Sequence, residues 1–317
     1  PGKPSGHPMT NSVLLAALLF FSTLANAGPL EDCREIDSVY SSCGATHRFD
    51  GRTFQFEHEA MLCTDGRNLG FYDRLDSMDI ASTFLIPYQT GATTLPEARR
   101  NWDPGRLRAE PLLKSIFGAD EARVRARLVP VSFLGQTVRF QRQLGAAAAL
   151  SRVSQELLAE IPRDSSLASF LAPFTSGAVD LRQYMFSWRF VSGTQRLSTH
   201  SFGTAIDLLR NDGPQYWLWD ERAARPELAS QGEAAYRNIH FIPRGAPRMH
   251  AKVLAAFERN GFIWGGKWNH YDTMHFEYRP EFFPSLHIDC AQHAELDDSM
   301  MLAMPASFAE TPHDADH

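Results

Sequence analysis

The stretch Arg196-Leu197-Ser198-Thr199-His200-Ser201-Phe202-Gly203-Thr204-Ala205-Ile206-Asp207, together with Tyr271-Asp272-Thr273-Met274-His275-Phe276-Glu277-Tyr278 further along, decides how this chain is read. Gly203 permits a turn just after His200, and Ala205, Ile206 and Asp207 read as the start of a buried strand. An ionised carboxylate entering such an apolar run is very costly to bury without a partner. A metal ion is one such partner. His275 likewise sits in an apolar strand candidate, Met274-His275-Phe276. Taken alone it is a core histidine more readily than a ligand. Taken with His200 and Asp207, it completes a set of two imidazoles and one carboxylate. Three protein ligands leave zinc one open position for water, the arrangement of a catalytic rather than a structural site.

Such chemistry also needs a base beside the activated water, and Asp272 stands three residues before His275. In a straight strand those two side chains face opposite sides. The chain must therefore bend between them, or Asp272 merely caps a loop. Glu277 shares the face of His275 if the strand is regular, so it either orients a ligand from behind or is solvated.

Outward from these segments, hairpin chemistry appears at Asp50-Gly51, before Phe54 and Phe56, and predicts a small sheet near the N-terminus. From Ile86 to Pro111 the composition shifts to Pro, Gly, Thr and Arg, including Asp103-Pro104-Gly105-Arg106, and reads as an irregular connection with turns. Strand signals cover Val124 to Phe133 and Thr137 to Gln141. Leu150, Val153, Leu157 and Ile161 recur at helical spacing up to Pro162. A second helix is expected from about Pro247 to Asn260, stopped by Gly261. Phe262 to Trp264 and Met274 to Tyr278 are short strand candidates.

The chain has 317 residues, 44% of them hydrophobic, enough to bury a sizeable core. A net charge of -6 and the lack of any long Lys or Arg run give no footprint for a phosphate backbone. Nucleic acid is excluded as an expected partner. Val13 to Leu24 followed by Ala25-Asn26-Ala27 reads as an export leader cleaved after Ala27, and the apolar run falls short of the roughly 20 residues a membrane span needs. In an exported chain the cysteines at 33, 43, 63 and 290 read as disulfides, with three pairings open. The expected organisation is a leader at 1–27, a cysteine-containing N-terminal region at 28–118, a catalytic domain at 119–290 and a flexible tail at 291–317. The site lies in an exported protein, periplasmic or extracellular.

Other chemistries lack their residues. His58-Glu59 begins a helical zinc motif, but Leu62 stands where its second histidine belongs. No serine precedes a lysine at the spacing of serine-type penicillin-binding enzymes, and no Gly-x-Ser-x-Gly elbow, Walker loop or dinucleotide fingerprint occurs.

Ser-x-His with Gly and then Ala-x-Asp, followed by Trp-x(3)-Asp-x-x-His-Phe, resembles the VanY-type zinc D-alanyl-D-alanine carboxypeptidase family, whose architecture is shared with lysostaphin-type enzymes and the Hedgehog signalling domain. The resemblance extends through Phe186-Ser187-Trp188-Arg189 and Gly261-Phe262-Ile263-Trp264-Gly265-Gly266-Lys267-Trp268, covering roughly 145–280. It implies an α+β fold, a small mostly antiparallel sheet with flanking helices, to which this chain adds an N-terminal extension. It implies Zn2+ held by His200, Asp207 and His275, and Asp272 as general base. It implies an arginine for the substrate, Arg189 first and Arg196 second. Either one is equally an arginine that braces a loop through an ion pair. Ser198 is read as a substrate contact or as an ordinary turn serine. The implied substrate is the stem peptide of peptidoglycan, cut by a carboxypeptidase that releases terminal D-alanine. A D,D- or L,D-endopeptidase and a non-catalytic wall-binding module on the same fold are the alternatives. Trp264, Trp268, Tyr216, Trp217 and Trp219 read as core or cleft wall, while His240, His250, His270 and His287 receive no role.

Overall fold

The computed structural model describes residues 29–91, 101–191, 194–209, 215–231, 235–236 and 249–283. The leader, the tail and Cys290, like His240 and His287, lie outside the described residues.

Helix α1 (Pro29–Ser42) is followed by the strands β1 (Arg48–Phe49), β2 (Thr53–Gln55) and β3 (Ala60–Leu62), which form a three-stranded antiparallel sheet. The Asp50 carboxylate accepts the backbone N–H groups of Arg52 and Thr53 at 2.8 and 2.7 Å, which closes the β1–β2 turn expected there. Cys33 and Cys63 form a disulfide that pins α1 to the end of β3, and Cys43 is also disulfide-bonded. Helices α2 (Phe71–Asp76), α3 (Glu110–Phe117) and α4 (Glu121–Arg125) follow. Val124 therefore lies in a helix rather than a strand. Asp120 caps that helix by accepting the Arg123 N–H at 2.8 Å, and a Glu121–Arg125 pair braces it.

Strands β4 (Leu128–Phe133) and β5 (Gln136–Gln141) form an antiparallel hairpin against helix α5 (Ala146–Glu160), whose α-helical part ends just before the Ile161-Pro162 turn. Helix α6 (Ser165–Thr175) is begun by the Asp164 side chain, which accepts from Ser166 and Leu167. After β6 (Ala205–Asp207) and α7 (Trp217–Ala224) comes α8 (Ala251–Arg259), in which the His250 ring caps the first turn and Gly261, at φ +83°, leaves the last. The second helix is thus shorter than its spacing suggested, with 247 and 248 outside the described residues.

Strands β7 (Phe262–Trp264) and β8 (His275–Tyr278) join β6 in an antiparallel sheet of order β6-β8-β7. Ile206 pairs with Phe276 and Trp264 with Phe276, so these three share one face. That face is dry: Phe276 stacks on Phe257 of α8 at 3.9 Å, and α8 in turn packs on α5. The opposite face carries Asp207, His275, Glu277 and Ile263. One apolar core joins Ile36 and Tyr40 of α1 to Phe276 and Tyr278 of β8. Among the described residues no helix is long and apolar enough to cross a membrane.

Candidate metal centre

The register of the buried sheet sets the first contact of the site. Asp207 pairs with His275 across the strands, and the His275 Nδ1 lies 2.9 Å from Asp207 Oδ1. His200 arrives from a short 3-10 turn, Thr199–Phe202, that precedes β6. Ser198 begins this turn by accepting the His200 N–H at 3.4 Å, and Gly203 ends it at φ +67°. A side chain at Gly203 would also put its Cβ 2.3 Å from the Leu128 methyl, so only glycine both makes the turn and fits beneath β4. The turn aims His200 Nε2 at Asp207 Oδ1, 3.2 Å away. His200, Asp207 and His275 each offer one donor atom within 4.8 Å of the others.

The outer atoms of these rings are held as well. His200 Nδ1 meets the Met185 carbonyl at 2.5 Å, and His275 Nε2 meets Glu277 Oε2 at 3.2 Å. With its outer nitrogen bonded to an acceptor, each ring would present its other nitrogen inward as a lone-pair donor to a metal ion. Glu277 is fully buried, so it is not solvated; it orients His275. It is itself fixed by Thr199 Oγ1 at 2.9 Å, by Arg279 at 3.1 Å and by Arg108 at 3.5 Å. Burial alone would raise its carboxyl, but Arg108, His275 and Arg279 hold it well below the usual carboxylate range. Asp207 follows the same pattern: burial opposes ionisation, while the His200 and His275 imidazoles keep the carboxyl strongly depressed. His275 is pushed up to about 10 against the effect of burial by Asp207 and Glu277. Such surroundings favour positive charge at this point, and the two imidazoles and one carboxylate are a donor set suited to zinc.

Asp272 lies in the bend that leads into β8. Its carbonyl accepts the His275 N–H at 3.2 Å, so the chain turns between the two residues and both line one cavity of about 250 Å³. Asp272 Oδ1 is buried and has no hydrogen-bond partner among the described residues. Burial, with the Asp207 carboxylate adding, raises this carboxyl to about 7, although His275, Arg106 and Arg189 pull the other way. A buried polar oxygen on a residue that lines the same cavity as the three donors is one that a water held at a cation would satisfy.

Arg189 lines the same cavity. Its backbone N–H donates to Ser201 Oγ at 2.9 Å, and its carbonyl accepts from that hydroxyl at 2.8 Å, which ties it to the His200 turn. Arg196 is not among the residues lining the cavity; its carbonyl accepts the Val191 N–H at 2.8 Å in the hairpin that leads up to that turn. Ser198 both caps the turn and lines the cavity. Trp268 and Trp219 form part of the wall, Trp217 is core, and Trp264 is core on the dry face. His270, which spacing left without a role, also lines the cavity, with its ring Nδ1 2.6 Å from Asp103.

A scaffold of this kind, with its polar residues gathered on one face of a small antiparallel sheet, is α+β, as the sequence leads one to expect. Residues 192–278 match the family model described as D-alanyl-D-alanine carboxypeptidase, a match that supports the VanY-type resemblance carried by the sequence motifs. Comparison with curated proteins and with solved structures gives no match.

Proposed function

We propose that the protein is an exported, zinc-dependent D-alanyl-D-alanine carboxypeptidase that trims the stem peptides of peptidoglycan in the periplasm or outside the cell. The observation that carries this reading is the convergence of His200 Nε2, Asp207 Oδ1 and His275 Nδ1, with the remaining ring nitrogens each held by a carbonyl or carboxylate. His200, Asp207 and His275 would hold the metal. When bound, Zn2+ supplies Lewis-acid activation of water and of the scissile carbonyl at neutral pH.

The chain's own residues do the rest. Asp272 takes the proton of the attacking water and returns it to the leaving amine of the terminal residue; its buried Oδ1, with no hydrogen-bond partner among the described residues, is free to accept that proton. Arg189 holds substrate or the developing oxyanion from the rim of the His200 turn, a role worth a few kcal/mol where such donors are removed. Glu277 keeps His275 in one tautomer and orientation. Ser198 orients His200 by capping its turn and offers a hydroxyl to the substrate. The Cys33–Cys63 disulfide supports export, since such bonds persist in oxidising compartments.

Metal analysis of the purified chain beside a digest of muropeptides tests this directly. We expect about one zinc per chain, release of a single D-alanine per stem peptide, and loss of both with a chelator. Products cut inside the peptide or across a crosslink would replace the carboxypeptidase by an endopeptidase. Zinc without any cleavage would favour a wall-binding module.

A further inference from the structure

The segment 101–108 lies outside the family match, yet it is stitched to the loop that leads into β8. Asp103 accepts the His270 N–H at 2.9 Å through one oxygen and meets its ring at 2.6 Å through the other. Trp268 Nε1 donates to the Pro104 carbonyl at 2.6 Å, the Asn269 N–H donates to the Trp102 carbonyl at 2.9 Å, and Arg279 reaches the Gly105 carbonyl at 2.7 Å. Gly105, at φ +83°, allows this close approach, for a Cβ there would fall 2.2 Å from Ile263 Cδ1 on the site face of the sheet. The strap is therefore fixed in register, and so are the two arginines that end it.

Arg106 and Arg108 both line the cavity, and each side chain is only 12% exposed. Arg106 sits 5.7 Å from the centre of the Trp268 ring and 3.5 Å from an Asp103 oxygen that already serves His270. Arg108 shares Glu277 with Arg279 and His275. Burial holds the Arg108 guanidinium below its usual range against the pull of Glu277, and Arg279 and Arg106 add to the lowering. With Arg189, three guanidiniums and the two carboxylates of Asp207 and Asp272 line one small cavity. Both carboxylates have work at the three-residue cluster. Cations crowded at a wall in this way are relieved by an anion, and a carboxylate matches the planar fork of arginine.

We propose that the strap supplies the anion site of the cavity, with Arg106, flanked by Arg108, receiving the C-terminal carboxylate of the peptide that lies across His200, Asp207 and His275. The proposal rests on the peptidase reading above and extends it to residues the family match does not reach. Arg189 belongs to the His200 turn and Arg106 to the His270 loop, so one guanidinium is left for the reacting carbonyl and the other for the terminus. Recognition of a free terminus in this way is what separates an exopeptidase from an enzyme that accepts a chain continuing past the cut.

The test compares diacetyl-L-lysyl-D-alanyl-D-alanine with its C-terminal amide, using the full zinc-loaded chain. Arg106→Gln should lower kcat/KM for the free acid by about tenfold or more, the scale of a lost charge-assisted hydrogen bond, while the amide is unaffected and zinc content is unchanged. Arg106→Lys keeps the charge without the fork and should fall between the two. An equal loss on both peptides, or no loss on the acid, overturns the proposal. Calorimetric binding of the two peptides in an Asp272→Asn background reads the same preference without turnover. If the unaltered chain cleaves neither peptide, the peptidase reading fails while this binding comparison still decides the anion site. Equal affinity for acid and amide with Arg106 intact sinks it, and that comparison stands even where Arg106→Gln does not fold.

Discussion

Among the described residues, two three-stranded antiparallel sheets solve opposite problems. The N-terminal sheet, β1–β3, is largely open to solvent, buries Phe54 fully, and is tied to α1 by the Cys33–Cys63 bond. The β6-β8-β7 sheet is buried almost throughout, and Asp207, His275 and Glu277 nevertheless stand on one of its faces. An exposed sheet too small to hold itself needs a covalent staple. A buried sheet that carries charge needs every charge paired, and the pairs then become the site. The difference teaches where stability and chemistry are placed: the covalent staple sits at the first sheet and the donor cluster on the second, with one apolar core running between them.

Substitutions should separate the two sheets in order of effect. Asp207→Ala removes the carboxylate that bridges both imidazoles, and we expect loss of bound zinc and of all measurable hydrolysis, read by metal analysis and product release. Asp272→Ala should keep the metal near one per chain while lowering kcat by about 10²–10⁴, the usual worth of a positioned base. Because that base acts only when ionised, kcat/KM of the unaltered chain should fall as pH drops through about 7 or below, wherever a bound cation sets the Asp272 carboxyl. A profile with no acid limb would remove Asp272 from the role.

Breaking the staple acts on the other sheet. Cys33→Ser with Cys63→Ser should cost about 2–4 kcal/mol in denaturant unfolding yet leave zinc affinity intact; a parallel fall in affinity would show the sheets to be coupled. Glu277→Gln should weaken zinc binding by about 10–100-fold in a chelator competition, since the amide orients the His275 ring less firmly than a carboxylate. Arg108 and Arg279 would then share one fewer negative charge, and a stability loss with unchanged zinc affinity would make Glu277 only a core ion-pair partner.

Much of the second sheet was legible because its polar residues interrupt apolar runs. Asp207 after Ala205-Ile206 and His275 between Met274 and Phe276 are conspicuous for that reason, and the bend demanded by Asp272 and His275 is present. Glu277 was visible only as a choice between orienting a ligand from behind and being solvated, which burial resolves. The helix at Glu121–Arg125 escaped because β-branched and apolar residues around Val124 look like strand, while the deciding signal is the Asp120 cap. Of the two candidate arginines, only Arg189 faces the cavity, a distinction made by Ser201 holding its backbone on both sides.

What the sequence by itself determined was the chemistry: which residue types meet, that they include two imidazoles and a carboxylate, and that the surrounding runs form short buried strands, because local pattern and residue identity are written in neighbouring positions. What the tertiary structure alone decided was the company those residues keep. Met185 behind His200, Thr199 and Arg108 around Glu277, and the strap from 101–108 across the His270 loop are contacts between separate segments of the chain. Nothing periodic announces them, since a single hydrogen bond from a carbonyl or a fixed side chain depends on where the backbone passes in space rather than on what stands beside it in order.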